Sequence, residues 1–169
     1  MESRDLLLTA FDNVEESVRG ALDGVDPALL TVRLDPDANT IAWLVWHLTR
    51  VQDDHVAEVA GVEQAYTDAG WADRFALPFP PSAHGYGFSS ADVGRTDITD
   101  PQLLVDYHAD VHRRTAEFLR TLSAADLDRV VDERWDPPVT LGVRLLSVIG
   151  DDLQHAGQAA LLRGLLERR

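Results

Sequence analysis

Four long segments of this 169-residue chain repeat their apolar residues every three to four positions, and none alternates at the period of a strand. That pattern restricts the fold to helices packed on helices. The first segment, Glu2–Leu22, spaces Leu6, Leu7, Phe11, Val14 and Val18 along one face and stops at Gly24 and Pro27. The second follows Asp35-Pro36-Asp37, takes Thr40 as its N-cap and runs to about Val59, before Gly61. The third begins near Pro101, a favourable first-turn residue preceded by Asp100, and continues to about Leu122. The fourth follows Pro137-Pro138-Val139, takes Thr140 as its N-cap and runs to about Leu166. Together they predict an all-α fold: a four-helix bundle with long connections, residues 1–169 forming one domain.

The longest connection, residues 62–99, carries Tyr66, Trp71, Phe75, Phe79, Tyr86 and Phe88, six of the chain's twelve aromatic residues. Irregular stretches of this length are uncommon in compact domains, and the aromatic content argues against disorder. Two readings stand. The stretch packs down over a bundle end or a dimer partner, or it walls a substrate pocket, and one loop is able to do both.

Charge and composition exclude several functions. With 29 acidic and 15 basic residues the net charge is −14, so nucleic acid and anionic membrane are poor partners. The chain has no cysteine, which removes disulfides, thiolate metal ligands and any nucleophilic protein thiol. No basic-then-apolar leader and no membrane-length apolar run is present, and a cytoplasmic location is expected. Phosphate-binding glycine loops, Gly-x-Ser-x-Gly elbows and His-Glu-x-x-His motifs are all missing.

The six histidines are His47, His55, His84, His108, His112 and His155. Asp151 and His155 stand four apart on the fourth segment, so both project from one helix face, a spacing that can chelate one divalent ion. They belong to a polar stripe of Arg144, Ser147, Asp151, His155 and Gln158. Opposite runs an apolar stripe of Leu146, Ile149, Leu153, Ala156 and Ala160. Taken alone, this wheel sends the apolar stripe to the core and the polar one to water. Yet Leu145, Val148, Ala159 and Leu162 flank the polar stripe, which suggests burial on several sides. On the second segment His47 lies at the edge of the core stripe and His55 points more directly inward. The two are too far apart, about 12 Å along the axis, to share an ion. Asp54 lies near the His47 face. His108 and His112 form a rival pair four apart. Arg50 and Arg144 are close in sequence to these groups and suit an anionic substrate, with ordinary salt bridges as the alternative.

Two stretches carry a family likeness. Asn39-Thr-Ile-Ala-Trp-Leu-Val-Trp-His47-Leu-Thr-Arg50 resembles the second-helix signature of the DinB/YfiT-like metal-binding four-helix bundles. Trp135-Asp-Pro-Pro-Val-Thr-Leu-Gly-Val-Arg144, continuing through Asp151-Asp-Leu-Gln-His155-Ala-Gly-Gln158, resembles their fourth-helix motif. More narrowly, the chain is similar to the actinobacterial mycothiol-dependent S-transferases. An Arg-only basic complement fits such a source. The resemblance implies a bundle with non-sequential crossover connections, commonly dimeric, and a metal triad of His47, Asp151 and His155. Many members have His in place of Asp151, whereas the mycothiol-dependent isomerases have a carboxylate there.

That likeness turns the polar stripe inward and implies a divalent metal, zinc or nickel, with an open position for a cosubstrate. With no cysteine in the chain, the implied activity is transfer of mycothiol, or a similar low-molecular-weight thiol, to a small electrophile. Arg50, Arg144 and Gln158 are the candidate substrate contacts. A metal-dependent hydrolase, a mycothiol-dependent isomerase on the same triad, or a non-catalytic metal-binding stress protein are the alternatives. A homodimer burying part of residues 62–99 is also expected.

Overall fold

The computed structural model describes residues 2–169. Its elements are α1 (Ser3–Leu22), α2 (Ile41–Ala60), α3 (Ala65–Asp68), α4 (Trp71–Phe75), α5 (Ser90–Gly94), α6 (Pro101–Thr121), β1 (Val130–Asp132), β2 (Val139–Thr140) and α7 (Leu141–Leu166). The four long helices fall where periodicity and caps place them. Thr40 Oγ1 accepts from the Trp43 N–H at 3.0 Å, and Asp100 Oδ1 accepts from the Gln102 N–H at 2.9 Å. Thr140 caps α7 in the same way through the Val143 N–H. These bonds satisfy backbone donors that the first turn leaves free.

Around the bundle, α7 packs against α1 and α2, and α6 packs against the same two from the other side. Cross-helix contacts set the directions. Arg163 near the end of α7 bonds carbonyls at the end of α1, so those two run parallel. Thr49 meets His108 and Gln52 meets Thr115, so α2 and α6 also run parallel. His55 meets Arg144 while Trp43 meets His155, so α2 and α7 are antiparallel. A parallel α2/α6 pair explains the long connection between them. From the end of α2 the chain must return about 30 Å, the length of a 20-residue helix, before α6 begins.

That return path wraps α2. Every residue from Thr40 to Arg50 is buried, which no single-faced amphipathic helix requires. Tyr66, Trp71 and Phe75 of the connection are buried around Tyr107 of α6, with ring centroids 5.4–5.6 Å from it. Phe79 and Phe88 pack on each other at 4.6 Å. Tyr86, by contrast, is 84% exposed. The connection therefore packs on its own bundle, and α3, α4 and α5 replace the irregular stretch expected from sequence.

Two further differences have local causes. The β1–β2 hairpin was not legible because strands of three and two residues are too short to show alternation. On α7 the expected core stripe divides: Ile149 and Ala156 are buried, but Leu146 is 65% exposed and Leu153 and Ala160 also face out. The buried face is instead Leu141, Leu145, Val148, Asp152, Ala159 and Leu162. The core splits into two apolar clusters, one holding Val14, Leu48, Val111 and Ala156, the other Phe11, Val56, Leu119 and Ile149. Between them along their helices lie the buried polar residues Gln52, Thr115 and Asp152.

Asp152 is fully buried and neither carboxyl oxygen has a partner. Burial first, and the neighbouring Asp151 carboxylate second, raise its pKa well above the usual 3.8. The unfolded chain releases this proton near pH 4 while the folded chain retains it. Stability therefore falls as pH rises above that point, by about 1.4 kcal/mol per unit, until the folded group ionises. Urea titrations of metal-free protein from pH 4 to 7 are expected to show this decline in the wild type relative to Asp152→Asn. Parallel profiles for the two proteins would contradict it.

Candidate metal centre

Three side chains converge where α2 and α7 cross. The antiparallel pairing puts His47 of α2 opposite Asp151 and His155, which lie one turn apart on α7. One ligand atom from each lies within 4.8 Å of the others. Among the described residues this is the one group of three or more such side chains so placed. Trp43, one turn before His47, stacks on its ring at 4.5 Å with planes 14° apart. The His47 and His155 rings meet edge to face at 5.0 Å.

Neighbouring groups settle which nitrogen each imidazole presents. His47 Nδ1 contacts the His84 carbonyl oxygen, which only accepts, so Nδ1 carries the proton and Nε2 keeps its lone pair. His155 Nδ1 lies 2.9 Å from Oε1 of Gln158, which likewise leaves Nε2 as the ligand nitrogen. His155 Nε2 is 3.6 Å from Asp151 Oδ1. Burial lowers the His47 pKa from 6.5 and keeps the ring neutral at neutral pH. Asp151 Oδ2 is buried without any partner. Two free Nε2 lone pairs beside an unpartnered buried carboxylate oxygen are a donor set that fits a divalent cation, and uncompensated burial of that oxygen is otherwise costly. Three protein ligands leave room in a zinc or nickel coordination sphere for another molecule.

The His84 carbonyl reaches His47 because the next residue has no side chain. Gly85 has φ +92°, and a Cβ there would lie 2.7 Å from His47 Nδ1 and 3.2 Å from the Trp46 ring. Gly85→Ala must therefore displace the loop or the imidazole. Zinc affinity in a competition titration is expected to drop about 10- to 100-fold, the usual effect of disturbing a ligand's hydrogen-bond partner. Unchanged affinity would mean that the loop does not hold His47.

A pocket of about 600 Å³ opens beside the triad, lined by His47 and Asp151 together with His55, His84, Tyr86, Asp132, Trp135 and Arg144. Trp135 is 65% exposed, so it and Tyr86 present two bare aromatic rings on the lining. Deeper in, Arg144 donates to His55 Nδ1 at 3.0 Å and to Asp132 Oδ2 at 3.1 Å. Arg134 clamps Asp132 with Nε at 2.9 Å and Nη2 at 2.8 Å. The Arg134 side chain, then its backbone N–H, and Arg144 hold the Asp132 carboxyl well below the usual carboxylate range. An apolar cleft of about 510 Å³ between α2 and α6 offers no histidine.

The structure brings His47, Asp151 and His155 together, puts Arg144 on the wall of the adjoining pocket, and leaves Arg50 and Gln158 off that lining. Arg50 is 0% exposed and absent from the pocket lining. Its guanidinium donates to Asp53, Tyr107, Gln64 and the carbonyls of Pro81 and Ala83, so it anchors the loop carrying His84. Gln158 contacts the His155 ring and is absent from the pocket lining. His55 lines the pocket and does not enter the core. Asp54 also lines it and accepts from Gln64. The rival pair separates: His108 is buried, with its pKa pushed down to about 3, and bonds Thr49, while His112 pairs with Asp12 and Glu15 of α1.

Sequence reasoning missed His84, Gly85, Asp132, Arg134 and Trp135 as parts of the site, whereas Tyr86 belongs to the connection that one reading made a pocket wall. None stands at a helical spacing from the triad, although Trp135 begins the second motif.

A four-helix bundle with crossed connectivity and a His–Asp–His constellation fit for a divalent ion defines the class. The chain belongs to the DinB superfamily, whose family model matches residues 10–159. It is similar to a solved structure described as a conserved protein from Enterococcus faecalis, with 27% identity and a TM-score of 0.92 over 100% of this chain and 99% of that one. No curated protein matches it.

Proposed function

We propose that this protein is a divalent-metal-dependent S-transferase that adds a low-molecular-weight thiol, mycothiol in the first instance, to a small electrophile. One observation carries the reading: a two-histidine, one-carboxylate donor set opens on a pocket in a chain that has no cysteine. The nucleophilic sulfur of such a site must then arrive with a cosubstrate. A zinc or nickel ion at His47, Asp151 and His155 would supply a thiol pKa low enough for thiolate near neutral pH.

The chain's own residues do the rest. The His84 carbonyl and Gln158 orient the two imidazoles, Trp43 holds the His47 ring by stacking, and Tyr86 and Trp135 offer apolar surface to the electrophile. In the reaction the thiol loses its proton and its sulfur forms a bond to the electrophilic carbon, while any leaving group departs with the electron pair of the broken bond. The same reading includes a homodimer. The exposed Leu146, Leu153, Leu161 and Leu165 of α7 support it better than the connection 62–99, whose aromatic rings are mostly turned inward.

Conjugation of monochlorobimane, assayed with mycothiol, with glutathione and without thiol on metal-loaded and chelated protein, tests the reading. Thiol-dependent turnover that chelation abolishes is expected, rising with pH through a value at or below neutral. Equal turnover of electrophile with and without thiol would replace the transferase by a metal-dependent hydrolase. A filled site with no turnover would leave a metal-binding protein.

A further inference from the structure

The pocket wall away from the triad has a polarity of its own. His55 lies eight residues after His47 on α2, and Arg144 lies seven before Asp151 on α7. Both therefore stand about two turns, roughly 10–12 Å along the helix axes, from the ligands. They meet each other across the antiparallel pair, Arg144 donating to His55 Nδ1.

That bond fixes the imidazole. A guanidinium has no acceptor, so Nδ1 of His55 must keep its lone pair and the proton resides on Nε2. Burial and the Arg144 charge also lower the His55 pKa, against opposing pulls from Asp54 and Glu58 on its own helix and a further lowering by His84 of the connection. Among the described residues Nε2 has no hydrogen-bond partner, yet it is not among the sealed, unpartnered polar atoms. The same holds for Arg144 Nε. Both N–H groups therefore reach open surface, and their side chains line the triad pocket and also a neighbouring cleft that carries Glu58 and Glu63.

Charge points the same way. Asp132 is clamped by Arg134 on both oxygens, so it fixes Arg144 without neutralising it alone. Asp54 accepts from Gln64, and Glu58, three residues after His55 on α2, also acts on the imidazole. A guanidinium and an imidazole N–H, both donors, thus stand side by side in a protein of net charge −14. Beyond them stand the bare rings of Tyr86 and Trp135.

We infer that Arg144 and His55, held by Asp132, form an anion subsite that binds the carboxylate of an elongated acceptor substrate. Its apolar body lies against Tyr86 and Trp135, and its reacting carbon lies toward the triad. The inference rests on the pocket being the substrate site proposed above. It deepens that reading by selecting acidic, partly aromatic electrophiles over neutral ones.

4-Phenylbutyrate and its neutral analogue 4-phenylbutyramide are the probes, titrated calorimetrically into zinc-loaded and into chelated protein. The acid is expected to bind at least 10-fold more tightly than the amide, in both forms. Arg144→Gln is expected to bring the acid down to the amide's affinity and leave the amide unchanged. Long-range proton–nitrogen NMR spectra of the wild type, with His55→Gln for assignment, supply a readout independent of variant folding. They are expected to show the Nε2–H tautomer of His55, with Nε2 shifting on addition of the acid and not of the amide. Equal affinity for acid and amide, no binding of the acid, or a silent His55 resonance would overturn the subsite. Acid binding that vanishes on chelation but is untouched by Arg144→Gln would place the carboxylate at the metal, overturning the subsite while sparing the metal reading. Thiol-independent bimane turnover with an intact acid preference would do the reverse.

Discussion

His155→Ala protein is expected to fold as the wild type does and to lose both stoichiometric metal and thiol-dependent turnover. The residue is half-buried at the α2/α7 crossing, bonded only to Gln158 and facing Asp151. Its removal opens no sealed cavity, so the stability lost should be small, about 1 kcal/mol or less when measured without metal. Metal affinity responds differently. Two ligands remain, and Asp151 Oδ2, already without a partner among the described residues, loses the adjacent imidazole of its chelate. Disturbing a ligand's outer partner alone lowers affinity 10- to 100-fold, and deleting the ligand should exceed roughly 100-fold. Elemental analysis after dialysis against equimolar zinc, with thermal melts in chelator, measures both quantities. Undiminished metal in the variant would remove the triad from consideration.

The second large effect is expected far from any ligand. Arg50→Ala leaves the Asp53 carboxylate, itself 4% exposed, without its cation, although the N–H groups of Ala65 and Tyr66 and the Tyr107 hydroxyl still donate to it. Removing one partner of a buried ion pair costs about 3–5 kcal/mol. In a chain of this length that is a fall in Tm of roughly 6–20 °C. The stacking of the guanidinium over Tyr66 at 4.2 Å is lost as well. Because Arg50 also bonds the Pro81 and Ala83 carbonyls, the loop that holds His47 through His84 should loosen, and zinc should bind more weakly. Arg50→Lys separates the two roles. Its ammonium restores charge to Asp53 but cannot reach five acceptors at once, so stability should partly recover while metal affinity does not. Full recovery of both would show that the loop contacts contribute nothing to the site.

The long helices were legible because their signals are local. Thr40, Asp100 and Thr140 each cap through a hydrogen bond to an N–H two or three residues ahead, and such bonds need no tertiary partner. The Asp151/His155 pair was legible for the same reason, since i and i+4 always share a helix face. The third member of the triad was not. His47 lies on a different helix, and the resemblance supplied it where periodicity left His47 at a core edge.

Arg50 shows the limit most clearly. Beside His47 in sequence, it reads as a substrate contact, but its side chain lies in a buried network with Asp53 and Tyr107. Which face of α2 meets the pocket and which meets the connection depends on α2 and α6 running parallel, a relation fixed by contacts between residues 59 and 63 apart in sequence. The fate of α7's two stripes is set in the same way. Its own residues define a polar side and an apolar side, whereas α1 and α2 choose which parts of each are covered, leaving Leu146 bare and Asp152 sealed. Caps, spacing and chain chemistry depend on bonds formed within one turn, so a single strand of residues specifies them. The pocket that joins His47 to Asp151 and Arg144 to His55 depends on packing free energy summed over four helices, which no local segment contains.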